Sequence, residues 1–114
     1  MNRQPLLKIY GHLYPADAAL FAALEEACAT ALPDGDDVPL LERDGDLVRL
    51  SFEGSYFPLE EVLAVVKAHL KPEHCGKIDV LDMEAWRLVR HTFADGHTQC
   101  RSGSLNQVLE YSGH

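Results

Sequence analysis

The sequence predicts an α+β fold, with half-buried strands, helices carrying one apolar stripe, and tight turns between them. Three observations predict it. Leu47 to Glu53 sets Val48, Leu50 and Phe52 against Arg49, Ser51 and Glu53, the period-two pattern of a strand with one buried face. Phe57-Pro58 opens a helix in which Leu59, Val62, Leu63, Val66 and Leu70 recur at helical spacing; Glu60 and Glu61 sit in its first turn, Lys67, His69 and Lys71 near its end, and Pro72 stops it. Two Asp-Gly pairs, Asp44-Gly45 and Asp95-Gly96, each lie between alternating segments and mark hairpins.

Taken in order, Leu6 to Leu13 alternates imperfectly, with Leu7, Ile9, Gly11 and Leu13 on one side and Leu6, Lys8, Tyr10 and His12 on the other; both faces are largely apolar, which predicts a central strand. Tyr14-Pro15 then leads into a helix predicted over Ala16 to Leu32, with Leu20, Phe21, Leu24, Ala27, Cys28, Ala31 and Leu32 as its stripe. Val38 to Glu42 and Leu47 to Glu53 flank Arg43-Asp44-Gly45-Asp46, and a loop centred on Asp44-Gly45 sets Leu41 opposite Val48 and Pro39 opposite Leu50. Pro39 cannot donate to a ladder, so its strand belongs at an edge. After the second helix, Lys77 to Leu81 starts another strand behind Gly76.

Up to Met83 the order is strand, helix, strand, strand, helix, strand, which resembles the ferredoxin-like split βαβ arrangement (β-α-β-β-α-β), an antiparallel sheet with both helices on one face. The resemblance rests on element order and implies nothing about function. Beyond it, Trp86 to Phe93 and His97 to Gly103 form a C-terminal β-hairpin about Asp95-Gly96, pairing Arg90 with Arg101 and His91 with Cys100. Ser104-Leu105-Asn106-Gln107 has capping-box spacing, and Leu105, Val108 and Leu109 would fix a short terminal helix onto the core.

A chain of 114 residues, 46% hydrophobic, fits a single α+β domain over residues 1–114. Met1-Asn2-Arg3-Gln4-Pro5 has no apolar segment behind it, which predicts a cytoplasmic location, and no apolar run reaches the roughly 18 residues of a membrane span. Cys28, Cys75 and Cys100 lack C-x-x-C spacing, so reduced thiols are expected and no metal or other cofactor is. The net charge of -8 is uneven, with ten acids against four bases in residues 1–57 and eight against six in 58–114. That balance disfavours direct nucleic-acid binding, which needs clustered Lys and Arg.

Two regions could carry function. Asp34, Asp36, Asp37, Glu42, Asp44 and Asp46 face only Arg43, and form either a solvated edge or a docking face for a protein with a basic surface. Tyr56 and Phe57 beside them read by position as core or helix-entry aromatics, or alternatively, ahead of Pro58, as an exposed aromatic anchor. The other region is the C-terminal hairpin. Like charges at Arg90 and Arg101 would mark an anion site unless Asp79, Asp82 or Glu84 neutralises them, and His91 with Cys100 could serve as base and nucleophile in a small enzyme. The motifs of three known uses of the ferredoxin-like arrangement are absent: an arginine in the loop after the first strand (acylphosphatase), C-x-x-C there (metallochaperones), and outward aromatics on the third strand (RNA recognition). The expectation is therefore a non-enzymatic protein that binds another protein. In its sharpest form it is an inhibitor from a phage or mobile element, anti-CRISPR-like, whose acidic surface engages a nucleic-acid-binding protein. A homodimer through the edge of the C-terminal hairpin is a third expectation.

Overall fold

The computed structural model describes residues 7–35 and 39–106. Strand β1 (Leu7–Tyr14) extends one residue past the predicted Leu13, Leu6 lying outside the described residues; it is central as expected but buries only one face, with Ile9 and Leu13 buried and Tyr10, His12 and Tyr14 exposed. Helix α1 (Ala18–Ala27) is capped by Asp17, whose carboxylate accepts the Leu20 amide at 2.8 Å. That bond to a backbone donor holds the Asp17 carboxyl below its usual range.

The helix ends earlier than expected. Cys28 caps it, tight turns follow through Ala29 and Ala31, and Leu32–Pro33 forms a short strand, β2, instead of a last helical turn. Leu32 precedes a proline, which disfavours helical backbone and favours extended.

Strand β3 (Leu41–Asp44) and strand β4 (Leu47–Tyr56) form the first hairpin. The predicted register is corrected here by two residues: Leu41 lies opposite Leu50 and Arg43 opposite Val48, so the loop is Gly45-Asp46. Gly45 takes φ +62 at the first loop position while Asp46 keeps an ordinary φ, the pattern of a turn with glycine leading. A two-residue slip preserves side-chain parity, so Leu41 still faces the core. Pro39 lies outside the strand, and Val38 is outside the described residues.

Helix α2 (Leu59–His69) buries Val62 and Val66, and its end is secured as His69 Nδ1 bonds the Val65 carbonyl at 2.9 Å. Strand β5 (Cys75–Asp82) follows. The Asp82 carboxylate then accepts the amides of Glu84 and Ala85, and Trp86 adopts φ 59. This left-handed residue ends the turn, so strand β6 starts at Arg87 and not at Trp86, running Arg87–Ala94, and β7 runs His97–Ser104. Asp95 and Gly96 both have positive φ and the hairpin register is as predicted. At the end, Leu105 is buried with its amide on the Trp86 carbonyl, and Ser104 Oγ accepts the Asn106 amide; Gln107, Val108 and Leu109 of the predicted terminal helix lie outside the described residues.

All seven strands join one antiparallel sheet in the order β2-β4-β1-β5-β6-β7, with β3 also pairing β4. Alternation gives the sheet two unlike faces. Ile9, Leu13, Val48, Leu50, Phe52, Ile78 and Phe93 point to one side, where they form a core with Leu20 and Leu24 of α1 and Val62 and Val66 of α2. Phe57, just before α2, closes that core against Phe52 with ring centroids 5.1 Å apart. The other face carries Lys8, Tyr10, His12 and Tyr14 on β1, beside Arg49, Ser51 and Glu53 on β4. No helix among the described residues is long and apolar enough to cross a membrane.

Candidate functional site

The outer side of β4 is the first place to look, because its neighbours there gather the predicted acidic residues. Along it, Asp44 pairs with Leu47, Glu42 with Arg49, the Leu40 carbonyl accepts the Ser51 amide, the Asp34 amide donates to Glu53, and Leu32 pairs with Tyr56. At about 3.3 Å per residue this edge is roughly 30 Å long. Asp46 sits at the hairpin tip, its carbonyl accepting the Ala16 amide and its side chain exposed.

Asp34, Glu42, Asp44 and Asp46 are all exposed, and none has an ion-pair partner within 4 Å among the described residues. Asp36 and Asp37 lie outside the described residues. At the far end Tyr56 is 45% exposed and Leu32 58%, so the acidic edge terminates in an apolar pair. Glu60 and Glu61, exposed in the first turn of α2, put further carboxylates close in sequence to Tyr56.

Two residues are assigned differently from the sequence expectation. Phe57 is 5% exposed and packed on Phe52, so it is a core residue and not a surface anchor. Leu32, expected on the buried stripe of α1, takes its place beside Tyr56. The readable signal was the Leu32-Pro33 dipeptide. Gly54 makes the arrangement possible: a Cβ there would run into the Leu32 carbonyl and come within 2.7 Å of Pro33 Cα.

The C-terminal hairpin divides its candidates between faces. Arg90 donates two hydrogen bonds to Asp79, at 2.7 and 2.9 Å, and this pairing raises the guanidinium pKa further. Lys77 lies 3.7 Å from the same carboxylate. Arg101 is exposed opposite Arg90 on the open face. His91 and Cys100 pair on the other, helix-bearing face, so the four residues do not converge on one centre.

No hydrogen bond joins the His91 imidazole to the Cys100 thiol, and His91 Nε2 is buried without a hydrogen-bond partner among the described residues. Burial, reinforced by Lys67 and opposed by Asp79, lowers the His91 pKa. Among the described residues no three His, Cys, Asp or Glu side chains group as metal ligands would. Between helices and sheet lies an apolar hollow of about 20 Å³, lined in part by Leu24, Leu50, Val66 and Phe93, against the roughly 300 Å³ or more of an organic ligand's pocket.

Comparison with protein-family models, with curated proteins and with solved structures finds no match.

Proposed function

We propose that the chain works without catalysis, by binding a protein with a basic surface along the edge formed by β2, β3 and the end of β4. The observation that carries this reading is the joining, on one edge, of exposed carboxylates at Asp34, Glu42, Asp44 and Asp46 with the exposed apolar pair Leu32 and Tyr56. An apolar contact flanked by charge suits a protein interface: the anchor supplies affinity, and the carboxylates speed encounter and set orientation. A free nucleic acid would be repelled by the same carboxylates. The partner class that fits is a protein whose own nucleic-acid groove is basic, with this chain as its inhibitor, in the manner of anti-CRISPR and other phage or mobile-element proteins.

The scaffold in this reading is a ferredoxin-like frame of β3-β4-β1-β5 with α1 and α2 on one face, to which β2 and the β6–β7 hairpin are additions. Its support is the antiparallel order of those four strands and the shared core of the two helices.

The test is affinity capture from a lysate of the source cell at low salt, comparing the wild-type chain with a variant carrying Asp34, Asp44 and Asp46 as Asn and Glu42 as Gln, and with Leu32→Ser. The reading expects one basic protein retained by the wild type and lost from both variants. Equal recovery on all three would overturn it.

A further inference from the structure

The two edges of the sheet are built differently. The β2/β3 edge is made of two short strands, is broken by a register shift between Leu32 and Pro33, and is lined with carboxylates, all of which discourage a second chain from pairing. Strand β7 has none of these devices. It runs eight residues in unbroken register with β6, contains no proline, and is exposed from His97 to Ser102. In a chain of net charge -8, residues 97–104 also hold no carboxylate and one arginine, so two copies meet here with little of the repulsion their other surfaces impose.

We propose that β7 pairs with β7 of a second copy, antiparallel about a twofold axis at Cys100, joining the two sheets into one. Hydrogen-bond phase and side-chain chemistry fix the centre. In a two-residue hairpin the flanking residues, Ala94 and His97, exchange backbone bonds with each other, so the N–H and C=O groups of β7 that point away from β6, and have no strand partner among the described residues, belong to Thr98, Cys100 and Ser102. A twofold at Cys100 lets Cys100 bond its own copy and Thr98 bond Ser102 of the second copy.

That register sets hydroxyl against hydroxyl at Thr98 and Ser102, and Gln99 against Arg101, whose guanidinium can donate to the Gln99 amide oxygen. The strand is self-complementary. A twofold at Arg101 would set Arg101 directly against Arg101, on strands where Arg90 is already the intramolecular neighbour, which is the unfavourable arrangement. The interface is isologous and closes as a dimer. It leaves the acidic edge at the opposite margin of the sheet unoccupied, so it stands or falls independently of the partner-binding reading.

Sedimentation velocity over a concentration series tests it, expecting a species of twice the 12.7 kDa of one chain. Gln99→Glu places a carboxylate opposite Arg101 twice in the dimer and tightens it by roughly fivefold, whereas Gln99→Arg loosens it by a similar factor; both changes lie on an exposed side chain and leave the monomer folded by circular dichroism. In the Cys75→Ser protein a short bismaleimide links two chains, and Cys100→Ser abolishes the link. A monomer at every concentration, or a dimer indifferent to both Gln99 changes and to Cys100, overturns the proposal.

Discussion

The His91 imidazole has a buried Nε2 with no hydrogen-bond partner among the described residues, and its pKa lies below the usual value, first through burial and then through Lys67. The unfolded chain therefore takes up a proton at His91 near pH 6.5, where the folded chain resists it. The associated stability is fully present above about pH 6.5 and is lost as pH falls from there toward the lowered folded value. His91→Leu should flatten this part of the profile, read as a smaller drop in the urea midpoint between neutral and mildly acid solution. At Asp79 the expectation concerns like charges. Asp79→Asn removes the carboxylate that holds Arg90 beside Arg101 and should cost about 1 kcal/mol in urea unfolding, since the Arg90 side chain is 40% exposed and solvent screens much of the attraction. Adding Arg101→Gln should restore part of it.

At the scale of elements, the prediction that separates scaffold from site concerns β2. Gly54→Ala forces a methyl group against Leu32 and Pro33, so it should detach β2 from β4 at a cost of roughly 1 to 3 kcal/mol and weaken partner binding with it. Phe52→Ala empties the best-buried aromatic position on β4 and should cost roughly 3 to 5 kcal/mol by thermal or urea unfolding. The periodicity of β4 and α2 was legible because each buries one face against a single core, and there burial and local pattern agree; β1 was legible as a strand but not in its one buried face, because Tyr10 reads as apolar while it stands on the open side. The Asp95-Gly96 hairpin was legible because Asp and Gly both tolerate positive φ, which its turn demands at both positions. The Gly45 hairpin was not, because its turn needs positive φ only at the glycine, and Asp44-Gly45 and Gly45-Asp46 look alike as text. Residues 28–32 misled for a different reason: Ala-rich sequence has high helix propensity, which outweighed the local signal of Leu32 before Pro33, and pairing with the end of β4 completes the strand. Leu32 thus moved from the core to the candidate site, and Phe57 moved the other way.

For the whole molecule, charge and shape point the same way. One margin of the sheet is acidic and ends in Leu32 and Tyr56, the other is the carboxylate-free strand β7, and the helix layer between them holds the core. The acids were legible in the sequence as a cluster; the alignment of Asp34, Glu42, Asp44 and Asp46 along a single strand edge depends on β2 and β3 sharing the outer side of β4. Partner binding through that edge implies two separable contributions. Tyr56→Ser should raise the dissociation rate by removing desolvated contact, whereas neutralising the carboxylates should chiefly slow association, both read by surface plasmon resonance against the captured partner. The most direct test of the central claim is the Kd for that partner across a salt series, for the wild type and for the chain with Asp34, Asp44 and Asp46 as Asn and Glu42 as Gln. The account predicts that the neutralised chain binds roughly tenfold or more weakly at low salt and that the two curves converge at high salt. Equal affinity of the two chains at low salt would contradict it.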